Sequence, residues 1–141
     1  MFFADEWLVK KSSEDSNYHL TEKHFLHPLV EGRFLPSLVY TVDEHLIGTP
    51  TEAAADYAQR LADAVQDERF DLLLLGMGDD GDCCCLTDFL AAPHHRTFTL
   101  PFIHKARNVL FVVTGEKKSR MVKTVLEEPS QQLPSTLTWP D

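Results

Sequence analysis

Four consecutive leucines, Leu72 to Leu75, stop abruptly at Gly76, and that junction restricts the folds open to this chain more than any other feature. Four apolar residues closed by glycine are too few for a helix and suit a strand buried on both faces, at the centre of a parallel sheet. Leucine is a modest strand former, so length and the glycine stop carry this reading more than propensity does. A second apolar run, VLFVVT from Val109 to Thr114, reads as another buried strand. One helical pattern precedes the leucine run and another follows VLFVVT. Thr49, Pro50 and Glu52 have capping-box spacing, and Ala54, Tyr57, Ala58, Leu61 and Val65 follow at helical intervals. After Gly115, Met121, Val122, Val125 and Leu126 give the segment from Glu116 to about Leu126 one apolar side. This alternation predicts an α/β fold, an open and mostly parallel Rossmann-like sheet flanked by helices.

The remaining elements are shorter. Phe2 and Phe3 read as a strand that delivers Asp5 and Glu6 to its carboxyl end. Ser16 is placed to cap a helix running towards Leu29, with Tyr18, Phe25, Leu26 and Leu29 on its inner face. His19, His24 and His27 on that helix read as surface or half-buried residues. Leu38 to Val42 and Thr97 to Leu100 are short strand candidates, and Leu86 to Pro93 is irregular.

In an open α/β sheet, ligands bind beyond the carboxyl ends of the strands. That end of the leucine strand carries Gly76, Gly78 and Gly81 interleaved with Asp79, Asp80 and Asp82. Glycines there let the backbone come close to a ligand. The same spacing also fits a tight turn with solvated aspartates. Asp5 and Glu6 likewise read as solvated loop acids or as site residues, and Lys118 as a solvated helix lysine or a phosphate contact at a helix start.

At 141 residues the chain is one domain with a single core, and a formal charge of −9 argues against nucleic acid or an anionic membrane surface as a partner. No apolar run approaches the ~20 residues of a membrane span. The opening MFFADEW lacks the pattern of a secretory signal, which points to the cytosol. Cys83, Cys84 and Cys85 are adjacent, so they neither form a disulfide framework nor keep the spacing of paired zinc ligands. They read as free, partly buried thiols, and no metal site is expected.

Beside that reading stands a resemblance. The string LGMGDDGD, Leu75 to Asp82, resembles the L-G-x-G-x-D-G-H segment of the 6-phosphogluconolactonases, the sugar-lactone hydrolases of the pentose phosphate pathway. Three further blocks follow the family order. FFADEW with SNYHL is similar to a strand ending in D-E-R that leads to S-N-Y, with Trp7 in place of the arginine. TFTLP and Ala106 are similar to R-x-T-L-T-L-P-x-x-x-x-A, whose arginine falls on His95, with Arg96 one position on. TGEKKS is similar to T-G-x-x-K-A and puts the family lysine at Lys118, while Leu133 and Pro134 echo an L-P-A segment. Aminosugar-6-phosphate deaminases share a G-x-G-x-x-G-H loop but not the later blocks.

The resemblance implies a partial version of the lactonase fold across residues 1–141, without the family's first strands or its last helix. The long family loop between the glycine motif and TFTLP is nearly gone. It also implies the opening of 6-phosphogluconolactone to 6-phosphogluconate without a cofactor, with a phosphorylated sugar lactone as the partner molecule. Asp82 and Asp80 stand as the catalytic candidates. Asp5, Glu6, Gly76, Gly78, Gly81, His95, Arg96 and Lys118 stand as substrate contacts. The family's base, the histidine after D-G, is replaced by Asp82. Aspartate as a residue type is about 2.6 pKa units less basic than histidine, so the chain reads either as a divergent lactonase or as a catalytically impaired remnant that binds or scaffolds.

Overall fold

The computed structural model, which describes residues 1–29, 36–83, 95–128 and 133–138, alternates short strands with helices. In chain order these are β1 (Asp5–Trp7), α1 (Asn17–Thr21), α2 (His27–Leu29), α3 (Pro50–Ala64), β2 (Leu73–Leu75), β3 (His95–Thr97), α4 (Leu100–His104), β4 (Val109–Phe111), α5 (Ser119–Glu127) and α6 (Pro134–Leu137). The chain divides into two compact units, Met1–Ala64 with Ala92–Arg96, and Val65–Ala91 with Thr97–Asp141. No helix among the described residues is long and apolar enough to cross a membrane.

In the first unit β1 pairs with β3. The strand expected at Phe2 and Phe3 is reduced to a single parallel bridge between Phe2 and Tyr40, whose rings stack at 4.2 Å. Most of Leu38–Val42 is therefore not strand, and Asp5 and Glu6 lie within β1 rather than beyond it. Tyr57 anchors the unit. Its hydroxyl accepts the Phe3 N–H at 2.8 Å and lies 3.2 Å from the carbonyls of Phe3 and Tyr40. Tyr57 comes from α3, where Ala53, Tyr57 and Leu61 are buried at i, i+4 and i+8 while Ala54 and Ala58 are exposed. The helix starts at Pro50 as expected, with Ala53 N–H donating to the Thr49 carbonyl at 2.9 Å, while the Thr49 hydroxyl donates to the Leu46 carbonyl of the preceding 3₁₀ turn.

Ser16 does cap α1, its Oγ accepting the His19 N–H at 3.3 Å. The helix then widens into a π turn, Glu22–Leu26, before α2. A π turn carries one residue more than an α turn, which shifts the apolar stripe. Leu26 is buried, while Phe25 and Leu29 are exposed, against the expectation of one inner face. His24 and His27 are exposed and His19 is half-buried, as read from the sequence.

The second unit holds the parallel pair. Leu73, Leu74 and Leu75 of β2 lie opposite Val109, Leu110 and Phe111 of β4. Phe70, Phe98 and Phe102 form an aromatic cluster, and Ile103 of α4 is fully buried. Leu100 begins α4 rather than ending a strand, since Pro101 fits the first turn of a helix and Thr99 is extended before it. The two strands are not buried on both faces as expected. Leu73 and Leu75 are buried, but Leu72 and Leu74 are 52% and 62% exposed, and Leu110 and Val112 are 51% and 57% exposed. Side chains alternate along a strand, so each run presents one covered and one open face. Leu126 of α5 is also exposed, whereas Val125 is buried.

Candidate functional site

The strongest candidate is the loop that leaves β2. Gly78 N–H donates to the Asp82 carbonyl at 2.8 Å, and Gly81 N–H donates back to the Gly78 carbonyl at 3.3 Å, closing a tight turn. Asp80 Oδ1 accepts the Asp82 N–H at 3.1 Å, and Asp82 Oδ1 accepts the Cys83 N–H at 2.9 Å. Asp80 thus braces the loop, while Asp82 is half-buried with its carboxylate turned onto its own chain. Two of the glycines sit where a side chain would press on the loop. A Cβ on Gly78 would meet the Asp80 carboxylate, and Gly81 has φ +82° with Met121 Sδ 3.0 Å from where a Cβ would stand. Among the described residues, the N–H groups of Asp79 and Asp80 have no acceptor.

Lys118 reaches this loop from the turn that follows β4. Gly115, at φ +94°, opens a 3₁₀ turn, Glu116–Lys118, and the Lys118 N–H closes it on the Gly115 carbonyl at 3.1 Å. The turn directs the Lys118 ammonium to the Met77 carbonyl at 2.6 Å. An ammonium has three donors, so two remain for other acceptors at the same place. Lys118, Gly76, Gly78, Asp80, Gly81 and Asp82 therefore belong to one neighbourhood of the second unit.

Sequence reasoning passed over one residue of that neighbourhood. Ser135, 0% exposed, donates to the Gly81 carbonyl through both its N–H, at 3.1 Å, and its Oγ, at 2.6 Å. The Thr138 hydroxyl closes on the Ser135 carbonyl at 3.0 Å. Pro134 at the start of α6, just after Leu133, was the available signal, because proline there marks a helix start whose first N–H needs an acceptor.

The acids of the first unit are used differently. Glu6 is 5% exposed, and its two oxygens accept the N–H groups of Trp7, Asn17 and Tyr18 at 2.8 to 2.9 Å and the Ser16 hydroxyl at 3.3 Å. Its carboxylate fills the start of α1, where unpaired N–H groups and the helix dipole favour an anion. Asn17 Nδ2 donates to the Asp5 carbonyl at 2.8 Å, tying β1 to the same turn. Burial, with Glu22 beside it, pushes the Tyr18 phenol above its ordinary range. His95 and Arg96 supply backbone to β3.

A cavity of about 410 Å³ in the second unit is a poor seat for a sugar phosphate. Met77, Phe111, Val122 and Val125 line it, and its polar contributors, Ser135 and Thr138, already spend their hydroxyls on protein carbonyls. Among the described residues, no three histidine, cysteine, aspartate or glutamate side chains are placed to hold a metal ion. Cys83 is buried, while Cys84, Cys85 and the Leu86–Pro93 segment lie outside the described residues.

Comparison with known proteins adds to this geometry. The family model described as glucosamine-6-phosphate isomerases/6-phosphogluconolactonase matches residues 1–89 and 82–141. The rat and human 6-phosphogluconolactonases are each 36% identical to this chain across 98% of it, and the chain spans 60% of their length. These alignments run over 161 and 162 positions, more than the chain contains, so the relatives carry residues inside the matched span that it lacks. The two family-model matches meet at residues 82–89, directly after the glycine loop, where the sequence reading puts the shortened segment. The 6-phosphogluconolactonase of Thermotoga maritima superposes with a TM-score of 0.81 at 21% identity, over 99% of this chain and 67% of that one. That of Trypanosoma brucei gives 0.74 at 24% identity, over 97% and 66%. The overall α/β fold is therefore shared with those structures.

Proposed function

This chain belongs to the family of glucosamine-6-phosphate isomerases and 6-phosphogluconolactonases, and from that premise we propose that it is a cytoplasmic hydrolase that opens 6-phosphogluconolactone to 6-phosphogluconate. The observation that carries the proposal is the docking of Lys118 on Met77 beside the Asp80–Asp82 turn. It joins a cation, unpaired backbone donors and a carboxylate at the end of a parallel strand, the position where α/β folds bind ligands.

Lactone opening by water needs an acceptor for the water proton, donors for the oxyanion on the former carbonyl, and a cation for the phosphate. In this proposal Asp82 takes the proton and the Asp79 and Asp80 N–H groups face the oxyanion. Lys118 holds the phosphate. Asp80 keeps the Asp82 peptide in place, and Gly76, Gly78 and Gly81 let the backbone approach the ring. Asp5, His95 and Arg96 stay candidates for substrate contacts on their sequence match. Glu6, with both oxygens engaged, is assigned to holding α1. Aspartate is the weaker base, and three neighbouring carboxylates repel an anionic substrate, so turnover is slow.

Lactone opening followed on the purified chain, corrected for spontaneous hydrolysis, tests the proposal. The expected result is a rate proportional to protein concentration and abolished by Lys118→Ala with Asp82→Asn. A rate equal to the buffer rate would overturn it and favour a binding or scaffolding role.

A further inference from the structure

We infer that Ser135 is a positioning residue for the glycine loop, acting through the peptide that joins Gly81 to Asp82; the inference rests on the lactonase reading of that loop. Ser135 is fully buried, and both of its donors converge on the single carbonyl oxygen of Gly81, 54 residues earlier. One donor would suffice to satisfy a carbonyl. Two on the same oxygen fix the direction of the C=O bond. A peptide is planar and trans, so the N–H of Asp82 points the opposite way from the Gly81 carbonyl. It is there that Asp80 Oδ1 accepts it at 3.1 Å.

Each part of the clamp has a reason in the sequence. Pro134 has no N–H, so the Ser135 N–H is the first donor of α6 that needs an acceptor, and the Gly81 carbonyl supplies it. Glycine at 81 admits φ +82°, which turns the carbonyl towards α6. The Thr138 hydroxyl on the Ser135 carbonyl holds the serine in place. Without the clamp this peptide can rotate, and the carbonyl oxygen then takes the place of the Asp82 N–H on the Asp80 side. A partial negative charge there opposes an anionic substrate and shifts the Asp82 side chain.

The test compares Ser135→Ala, Ser135→Thr and Thr136→Ala in the full chain. Thr136 donates to Leu133 within the same turn, at 2.7 Å, so its variant loosens α6 while keeping both Ser135 donors to the Gly81 carbonyl. The readouts are the residual dipolar coupling of the Asp82 N–H, which reports the peptide orientation, and the split between kcat and KM. Ser135→Ala is expected to change the coupling and lower kcat about tenfold, the size of one lost hydrogen bond. Ser135→Thr restores both, and Thr136→Ala leaves both as in the wild type. An unchanged Asp82 coupling in Ser135→Ala, or the same change in Thr136→Ala, overturns the inference. If Ser135→Ala does not fold, Ser135→Cys, with a weaker donor of similar size, carries the same comparison. A wild-type chain without lactone opening would overturn the lactonase reading, while the couplings judge the clamp independently.

Discussion

The Lys118 ammonium donates to the main-chain carbonyl of Met77 at 2.6 Å, 41 residues away in sequence. This bond joins the turn after β4 to the loop after β2, so the two segments that follow the parallel strands are held as one. Lys118→Met removes the donor and keeps most of the stem. The expected outcome is a fall of ten- to a hundredfold in kcat/KM for lactone opening, with a modest loss of stability, because binding of the phosphate and closure of the loop are lost together. Steady-state kinetics and urea unfolding on the same sample check it.

Glu6 is expected to matter for folding before it matters for substrate. Glu6→Ala leaves the N–H groups of Asn17 and Tyr18 and the Ser16 hydroxyl without their acceptor, which costs about 2–4 kcal/mol. Glu6→Gln keeps shape and part of the acceptor capacity and should fall between. Urea unfolding midpoints of the three proteins give the order directly.

Gly81→Ala is expected to destabilise by about 1–3 kcal/mol, since alanine is strained at φ +82° and its methyl meets Met121 and Leu133. Adding Met121→Ala relieves the contact with Met121 but neither the contact with Leu133 nor the backbone strain. The double variant should recover part of the loss and no more, which thermal unfolding measures.

Leu74 and Leu110, side by side across the parallel pair, are each more than half exposed. Leu74→Lys should therefore change stability by about 0.5 kcal/mol or less, whereas Leu75→Lys, on the covered face, should cost several-fold more. Chemical denaturation of both variants separates the faces.

Much of this architecture was legible in the sequence. The leucine run and VLFVVT do form the parallel pair, and the glycine loop follows it directly. What the runs could not convey is that only one face is covered. Periodicity shows where apolar side chains recur, but cover comes from elements distant in sequence. The stripe on the helix after Ser16 failed for a different reason, since a π turn resets the phase that the pattern assumes. Within the candidate site, Gly76–Asp82 and Lys118 stood out by motif, and the structure brings them together. Ser135 did not, because Pro134 marks only a helix start and nothing local shows that the next serine holds a carbonyl 54 residues away. Glu6 read as a solvated loop acid or a substrate contact, and its buried acceptor role was hidden because it depends on where the start of α1 lies.

In the proposed function, position 82 supplies the proton acceptor for lactone opening. The most direct measurement is kcat/KM of the wild type, Asp82→Asn and Asp82→His in one lactone-opening assay corrected for spontaneous hydrolysis. Asp82→Asn keeps the size and the acceptor for the Cys83 N–H while removing the base, and is expected to lose about a hundredfold or more. Asp82→His is expected to exceed the wild type yet stay well below the rat or human enzyme, since Trp7 still stands where the family carries arginine. Wild-type activity retained in full by Asp82→Asn would contradict the assignment of Asp82 as the proton acceptor, and with it the central claim.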